Sequence, residues 1–452
     1  MKKLKGPFEK LYLRHLLRKG RYIDVLARAG DGPGPHTPER RMALYKLGCY
    51  HSLAAMEMPE RSVRDAIATA VSKAATGDVS GASAHFRAFT QNRRLSAKER
   101  AAAVSALAPY DPEFAFTLCD GLPPRHDGLH AALLIALGRS EEARAVLRRD
   151  LDAGRAGAIR DFFLLLANTR DGEVAPLDML NRHFAHQGLT GARAIDPDAP
   201  LSVANVEGEA AAGTVSGPLV SIIMPSFDTR DRIVPAIRSL LAQTYADLEI
   251  LVVDDCSEDG TPEVVEAAFA DEPRVRLFHT PCNGGPYVAR NLALSQARGE
   301  FVTCHDSDDW AHPEKIARQV GPLLADPTLV FTLSDWVRLS DQGEFYARQI
   351  YPLSRLNPAS PLFRREEVVA RIGGWQEERF GADGEYLLRL KTIYGPRRWL
   401  HLRRTLALGA HRPGSLMTDA STGVTRGGLN PARLAYTERQ VAALVSEIPP
   451  RD

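Results

Sequence analysis

The chain has 452 residues, of which 44% are hydrophobic and 25% charged, and its formal net charge is +1. These values are typical of a folded protein with two or three domains, and they give no electrostatic reason to expect nucleic acid as a partner. The longest apolar run, AALLIAL, is too short to cross a bilayer, and the basic N-terminus lacks the apolar core of a signal peptide. The five cysteines are scattered and include no CxxC pair, as expected of free thiols in a reducing compartment. We therefore expect a cytoplasmic protein that does not bind nucleic acid.

Residues 1–190 place apolar side chains at three- and four-residue spacing and show almost no strand-like alternation. This pattern predicts an all-α N-terminal domain, built either of stacked hairpins similar to tetratricopeptide repeats or of an irregular bundle. Leu4, Phe8, Leu11 and Tyr12 fall near one face of a helix predicted in the basic N-terminal segment, which His15 shares, whereas Leu13 and Leu17 fall off it. The face predicts contact with a protein partner or peripheral contact with the inner face of the membrane; the alternative is that it packs on the next helix.

Residues 191–217 lose the helical spacing and gain Gly, Pro and Ala, which predicts a linker. Residues 218–425 then alternate short apolar runs, such as PLVSIIMPSF and LEILVVDDC, with amphipathic runs, such as IVPAIRSLLAQ and PYVARNLALSQA. Strands and helices that alternate in this way form a parallel sheet covered on both faces, the α/β class. Residues 426–452 are expected to form a C-terminal helix and tail.

Polar residues follow three of the predicted strands at the point where each ends. They are Ser226 and Asp228, then Asp254 and Asp255, then Asp306, Asp308 and Asp309. Ligands of open α/β sheets bind beyond the carboxyl ends of the strands. Acids that are clustered there repel one another unless a cation offsets their charge, although a solvated loop or a helix N-cap would also tolerate them.

The segments VSIIMPSFD, LEILVVDDCSEDGT and NGGPYVARNLALSQARGEFVTCHDSDDW resemble, in order and spacing, the nucleotide-binding half of family 2 glycosyltransferases. Further on, NPASPLFRREEVVARIGGWQEERFGADGEYLLRL and HRPGSL are similar to the acceptor half and its closing segment. The resemblance covers about residues 218–420 and implies a GT-A fold, a Rossmann-like, mostly parallel sheet. It implies transfer of a sugar, with inversion, from a nucleotide sugar such as a UDP-sugar to a glycan or lipid-linked acceptor in bacterial surface polysaccharide synthesis.

The resemblance also implies a role for individual residues. Those at nucleotide-sugar-binding positions are Pro225, Ser226, Asp228, Asp254, Asp255, Arg290, Asp306 and Asp308. Those at metal-binding positions are Asp308, Asp309 and, more weakly, His411. The implied cofactor is Mg²⁺ or Mn²⁺, because hard carboxylate oxygens suit these ions and a divalent cation stabilises a leaving diphosphate.

The catalytic base that the resemblance implies is a carboxylate in GADGEYLL, where the family usually has Glu-Asp before a helix. This chain has Ala382 in place of the Glu, so either Asp383 or Glu385 is the base, and Asp383 aligns better.

Two other functions remain open at this point. The departure at Ala382 allows a scaffold protein whose GT-A domain is a degenerate nucleotide binder. A nucleotidyltransferase would share the sheet, but it would need a Gly-rich loop with Arg and Lys after the first strand, where this chain has PSFDTRDR.

Overall fold

The computed structural model describes residues 7–29, 37–56, 58–170, 172, 174–209, 213–359, 361–415, 418, 423–425 and 428–447. These residues form two compact units. Unit 1 takes its described residues from 1–138, 348–351 and 413–452, and unit 2 from 139–347 and 352–412.

In the described residues, unit 1 begins with nine helices: α1 Pro7–Arg18, α2 Tyr22–Ala29, α3 Pro38–Leu47, α4 Tyr50–Ala54, α5 Val63–Ala75, α6 Val79–Thr90, α7 Ala97–Leu107, α8 Pro112–Thr117 and α9 Asp127–Ala136, the last preceded by a 3₁₀ turn at Pro124–His126. Two of them start with capping boxes, Ser62 with Asp65 and Ser96 with Glu99, which satisfy the first free backbone N–H groups. The mostly helical N-terminal region agrees with the predicted all-α character.

Unit 2 begins with three more helices: α10 Ser140–Asp152, α11 Phe162–Ala167 and α12 Pro176–His186, with a 3₁₀ turn at Ala156–Ala158. The sequence assigned these helices to the N-terminal domain, whereas the structure groups them with the sheet. Their apolar spacing is the same as that of α1–α9, so helical periodicity alone could not show which unit each helix packs on.

Residues 191–217, predicted as a linker, contain paired strands and buried side chains. Strands β1 Ala192–Arg193 and β2 Glu207–Gly208 pair antiparallel, and Leu201, Val203 and Val206 are buried between and beside them. The stretch is therefore part of unit 2, and its Gly208 lies within β2.

The following elements are β3 Val220–Ser226, α13 Arg230–Leu241, β4 Leu248–Asp254, α14 Thr261–Phe269, β5 Val275–His279, α15 Pro286–Gln296, β6 Phe301–Cys304, β7 Trp310–Ala311, α16 Lys315–Ala325, β8 Phe331–Ser340, β9 Phe345–Tyr346, β10 Arg355–Leu356, β11 Leu362–Arg364, α17 Arg365–Ile372, α18 Ala382–Tyr394 and β12 Trp399–His411. The chain ends, in unit 1, with β13 Val424–Thr425, β14 Gly428–Leu429 and α19 Pro431–Glu447.

One sheet of ten strands organises unit 2. Its order is β5-β4-β3-β6-β11-β8-β12-β7, with β9 and β10 paired to β8. Strands β3, β4, β5 and β6 are parallel, as the alternation of strands and helices predicts, whereas β11 runs antiparallel between β6 and β8. The sheet is therefore mixed. Every residue of β3 and β4 is buried, because helices cover both faces of a sheet of this kind.

The ends of β3, β4 and β6 lie side by side because these strands are parallel neighbours. The register pairs Ser226 with Asp254 and Ile223 with Cys304, so the predicted polar strand ends share one edge of the sheet. None of the helices in the described part of the chain has the length and apolar character needed to span a membrane.

Candidate active site

The acidic loop, defined here as residues 305–309, leaves the carboxyl end of β6 and leads into β7. Each of its three carboxylates has a different partner. Asp306 accepts from Nη2 of Arg290 at 2.7 Å, and Asp308 accepts from Nε of Arg412 at 2.9 Å. Asp309 accepts from the backbone N–H of Ala410 at 2.9 Å. In this structure, therefore, two arginines and one backbone amide face the clustered acids.

These partners do not fully offset the clustering of negative charge. Burial is the largest cause that raises the pKa of Asp309 well above its ordinary value, and the charges of Asp308 and Asp306 add to it. Burial also raises the pKa of Asp308, against the lowering effect of Arg412. A further cation next to Asp308 would therefore stabilise the ionised form of its carboxylate.

Arg290, on α15, lies at the centre of the site. It is 3% exposed, and its Nε and Nη1 have no hydrogen-bond partner among the described residues. Its guanidinium lies 5.2 Å from the centre of the Tyr287 ring. Burial opposes its charge, but the carboxylate of Asp306, with smaller contributions from other groups, keeps the pKa of Arg290 above its usual value. A buried guanidinium with two free N–H faces is a ready donor to an anionic ligand.

The two candidate bases occupy different surroundings at the start of α18. Asp383 accepts a hydrogen bond from the Tyr287 hydroxyl at 3.1 Å. Tyr287 lies on α15, one helical turn before Arg290. Glu385 is buried in a two-point ion pair with Arg389, at 2.9 and 3.0 Å. Arg389 also donates to backbone carbonyls at the end of α17, so this pair ties two helices together. Of the two carboxylates, Asp383 faces the Arg290 cluster.

Asp255 closes the loop that precedes α15. Its carboxylate accepts from the backbone N–H groups of Gly284 and Gly285, at 3.0 and 2.7 Å, and from the Thr280 hydroxyl at 2.8 Å. Gly285 has a φ of +92°, a backbone conformation that favours glycine. Asp254 differs, because its buried Oδ1 has no partner among the described residues. Asp255 is thus committed to the loop, and Asp254 keeps an acceptor atom available.

The remaining predicted residues lie at the end of β3. Pro225 is buried within the strand, and the Ser226 hydroxyl bonds to that of Thr229. Asp228 is exposed, with a φ of +48°, and its carboxylate accepts from the backbone N–H of Glu258. Asp228 therefore links the loops after β3 and β4.

His411, the weakest of the predicted metal ligands, ends β12. Its ring stacks on Tyr346, with centres 3.7 Å apart and planes 4° from parallel. Burial, followed by the charge of Arg338, lowers its pKa, so the imidazole is held neutral. Its Nδ1 is buried and has no partner in the described part of the chain. The neighbouring residue, Arg412, is the one that contacts Asp308.

The carboxylates of the acidic loop fit a divalent ion that has one or two protein ligands and is otherwise held by phosphate groups and water. Among the described residues, no three His, Cys, Asp or Glu side chains converge as a ready-made metal cage. Mg²⁺, however, usually binds through one or two carboxylates together with substrate phosphates and water. Asp308 fits that role, since its side chain is partly exposed and its pKa is raised.

Sequence reasoning missed several residues of the site. Arg412 and Tyr287 have direct contacts to predicted site residues, and Arg232 forms a two-point ion pair with Asp341 on the turn after β8. Lys315 is fully buried without a partner for its Nζ in the described residues, and burial lowers its pKa to about 8. Arg412 directly follows His411, a predicted metal ligand, and this position in the sequence could have indicated that Arg412 belongs to the site.

Part of the site, including Arg290 and the acidic loop, lies in a segment that matches a known family model. Residues 221–376 match the family model described as "Glycosyl transferase family 2". The putative teichuronic acid biosynthesis glycosyltransferase TuaG of Bacillus subtilis is 33% identical over 28% of this chain and 50% of its own length. The succinoglycan biosynthesis protein ExoO of Rhizobium meliloti is 44% identical over 23% of this chain and 29% of its own length.

A glycosyltransferase of Haemophilus influenzae is 38% identical over 24% of this chain and 43% of its own length. Among solved structures, S. aureus TarS 1-349 in complex with UDP-GlcNAc aligns with a TM-score of 0.41 and 22% identity, over 50% of this chain and 66% of that one. The chain thus spans no more than half the length of these three curated relatives. Residues 221–376, called the family 2 segment below, contain Arg290 and the whole acidic loop and match the family 2 glycosyl transferase model, and the mixed sheet runs through this segment.

Proposed function

We propose that the protein is an inverting glycosyltransferase that moves a sugar from a UDP-sugar to a hydroxyl group of a glycan or lipid-linked acceptor. The observation that carries the proposal is the position of Arg290, which contacts Asp306 of the acidic loop and packs on Tyr287, the partner of Asp383. One buried cation thereby links the strand end that resembles a donor site to the helix that resembles an acceptor site. Relatives named for teichuronic acid and succinoglycan biosynthesis support a role in bacterial surface polysaccharide synthesis.

Asp383 is the proposed base. Its carboxylate would accept the proton of the acceptor hydroxyl while that oxygen attacks the anomeric carbon. The new bond is between the acceptor oxygen and the anomeric carbon, and the bond that breaks joins this carbon to the phosphate oxygen, so the anomeric centre inverts. Tyr287 holds Asp383 in place, and the free N–H groups of Arg290 are available to the diphosphate that leaves.

The proposed cofactor is Mg²⁺ or Mn²⁺, with Asp308 as its main protein ligand. Asp309, the next residue, and His411, at the end of β12, are the other candidate ligands. When bound, such an ion offsets the negative charge that develops on the leaving diphosphate. Arg412 occupies Oδ2 of Asp308 in this structure, so an ion held by both oxygens of Asp308 would have to displace Arg412 from Oδ2.

Calorimetric titration of UDP, with GDP and dTDP as comparisons, tests the donor and the cofactor together. We expect UDP to bind in the presence of Mn²⁺ and to bind at least tenfold more weakly without it or to Asp308→Ala. Glu272→Gln is a matched control, because Glu272 is an acid of unit 2 that pairs with Arg274 and has no role in the acidic loop or its anchors. Failure of all three nucleotides to bind would contradict the proposal and favour the scaffold alternative.

The exposed face of α1 supports an anionic lipid surface as the partner of the N-terminal region. Within unit 1, Leu13 and Leu16 of α1 are buried, whereas Phe8 is 72% and Leu11 64% exposed; Leu4 lies outside the described residues. Lys10, Arg14 and Arg18 are exposed on the same helix. An apolar stripe flanked by basic side chains suits the headgroup region of an anionic membrane, where a lipid-linked acceptor would be found.

Co-sedimentation of the full chain with phosphatidylglycerol vesicles tests this partner. The chain should sediment with anionic vesicles and not with phosphatidylcholine vesicles, and the double substitution F8E/L11E should abolish sedimentation. A wild-type chain that stays in the supernatant with both kinds of vesicle would exclude a lipid partner for α1.

A further inference from the structure

The residue directly after the acidic loop is anchored by a helix outside the family 2 segment. Trp310 is 1% exposed, and its ring stacks on that of Phe184, with centres 6.1 Å apart and planes 28° from parallel. His312 packs edge-on against both rings, 5.0 Å from Phe184 and 5.8 Å from Trp310. Phe184 belongs to α12 and is fully buried. The three rings form an aromatic cluster that fixes where the acidic loop ends.

Hydrogen bonds from the stretch that follows α12 hold the same strand. The His312 Nδ1 accepts from the backbone N–H of Glu314, so its Nε2 carries the hydrogen and donates to the Thr190 carbonyl at 3.0 Å. The backbone N–H of Thr190 in turn donates to the Glu314 carboxylate at 2.9 Å. Both backbone groups of Thr190 are thus used to hold the residues just beyond β7.

The strand that bonds to Asp309 is held by the same helix. The Thr405 N–H, on β12, donates to the Gln187 side chain at 2.6 Å, and the Thr405 hydroxyl lies 2.9 Å from Nε2 of His183. Five residues later, β12 presents the Ala410 N–H that donates to Asp309. Helix α12 therefore contacts both structures that set the position of Asp309, namely the exit of the loop and the neighbouring strand.

We propose that α12 and its flanking residues to Thr190 position the acidic loop, with Phe184 as the principal positioning residue. This inference rests on the proposed function for its consequence, donor binding, but its structural part can be measured separately. The physical reason is that Asp306, Asp308 and Asp309 place three carboxylates within four residues, where they repel one another, so a loop without a firm anchor would separate them. The aromatic cluster, at the exit of the loop, and β12, which bonds to Asp309, resist that separation.

Phe184→Leu in the full chain tests the proposal, with Phe162→Leu as the matched control. Phe162 is also buried, at 2% exposure in α11 of the same unit, and its ring partner is Phe163, away from β7. Hydrogen exchange followed by mass spectrometry would be compared for peptides that cover residues 304–312 and 406–411. We expect exchange at least tenfold faster than wild type in Phe184→Leu, and within twofold of wild type in Phe162→Leu. Phe184→Met replaces Phe184→Leu if the latter does not fold, because Met fills irregular space.

The second readout separates positioning from general stability. The Kd for UDP with Mn²⁺ should rise at least tenfold in Phe184→Leu and less than threefold in Phe162→Leu, while the acceptor KM stays within twofold. Equal exchange in both variants, or faster exchange with an unchanged Kd, would overturn the inference. If wild type binds no nucleoside diphosphate, the proposed function fails, and the exchange comparison alone then decides whether α12 positions the loop.

Discussion

Two regions of unit 2 contain buried polar side chains, and they differ in how fully those side chains are satisfied. Among the described residues of the family 2 segment, Arg290 has two nitrogens and Asp254 one oxygen without a hydrogen-bond partner, and the pKa of Asp309 is raised well above its ordinary value. In the stretch 161–187, the polar side chains are paired within the protein: Asp161 with Ser354, Asn168 with Phe345, and His183 and Gln187 with Thr405.

The difference between unpaired and paired side chains indicates which polar groups are available to a ligand. Buried polar atoms in proteins nearly always have partners, so an unpaired group needs an explanation. Free atoms gathered at the strand ends are explained by a ligand that supplies their partners. Saturated groups, by contrast, hold elements together. The predictions below test that distinction, in order of decreasing expected effect.

Asp383→Asn should have the largest effect, because the amide cannot accept the acceptor proton. We expect kcat to fall by about 10²- to 10⁴-fold, the usual contribution of a general base, with the donor Kd within about twofold of wild type. Glu385→Gln is the matched variant, and it should lower stability through Arg389 while keeping kcat within about tenfold. Steady-state kinetics on both variants decide the base, and the reverse pattern would assign the role to Glu385.

Asp161→Ala should be the most damaging change in the saturated region. Asp161 accepts from both the N–H and the hydroxyl of Ser354, and its φ of +58° is poorly suited to Ala. We expect the free energy of unfolding to fall by about 2–4 kcal/mol in urea titration. Asp161→Asn, which tolerates this φ, should lose less. A loss below about 0.5 kcal/mol for the Ala variant would show that the pairing is not structural.

His183 should make the protein sensitive to mild acid. Burial, aided by the charges of His186 and Arg160, lowers its pKa from 6.5 to about 3. The unfolded state therefore binds a proton that the folded state refuses, so its contribution to stability is complete above pH 6.5 and is lost as the pH falls toward 3. At pH 5 the loss should be about 2 kcal/mol. His183→Gln should flatten the pH dependence of urea unfolding by that amount, and an unchanged slope would show that His183 is not the sensitive group.

Thr405→Val should have the smallest effect, because it keeps the shape of the side chain and removes one hydroxyl shared by His183 and Gln187. We expect a loss of about 1 kcal/mol by thermal unfolding. Thr392→Val provides a comparison, since the Thr392 hydroxyl bonds only locally, to the Leu388 carbonyl within α18. A similar loss in both variants would indicate that the contact between α12 and β12 adds nothing specific.

Much of the sheet could be predicted from the sequence, because local signals define it. The apolar runs of β3, β4 and β6 and the periodic helices between them give their order, and parallel pairing then gathers their polar ends. The antiparallel insertion of β11 between β6 and β8 could not be predicted, because no local pattern encodes the pairing of strands far apart in the chain.

The same limit applies to the site. The acids of the loop are visible in the sequence, but their partners come from distant positions. Arg412 is 104 residues from Asp308, and Phe184 precedes Trp310 by a similar distance. Only the folded chain shows that Glu385 is committed to Arg389 while Asp383 is not.

The burial of the cysteines has a practical consequence for chemical labelling. Burial raises the pKa of the thiols of Cys49 and Cys304 to about 12 and that of Cys119 to about 11, so these side chains stay protonated and covered. Cys282 is exposed, two residues before the Gly284 N–H that Asp255 holds. A thiol-reactive fluorophore would therefore attach first at Cys282 in the unaltered protein, and its emission would report on the surroundings of the loop that precedes α15.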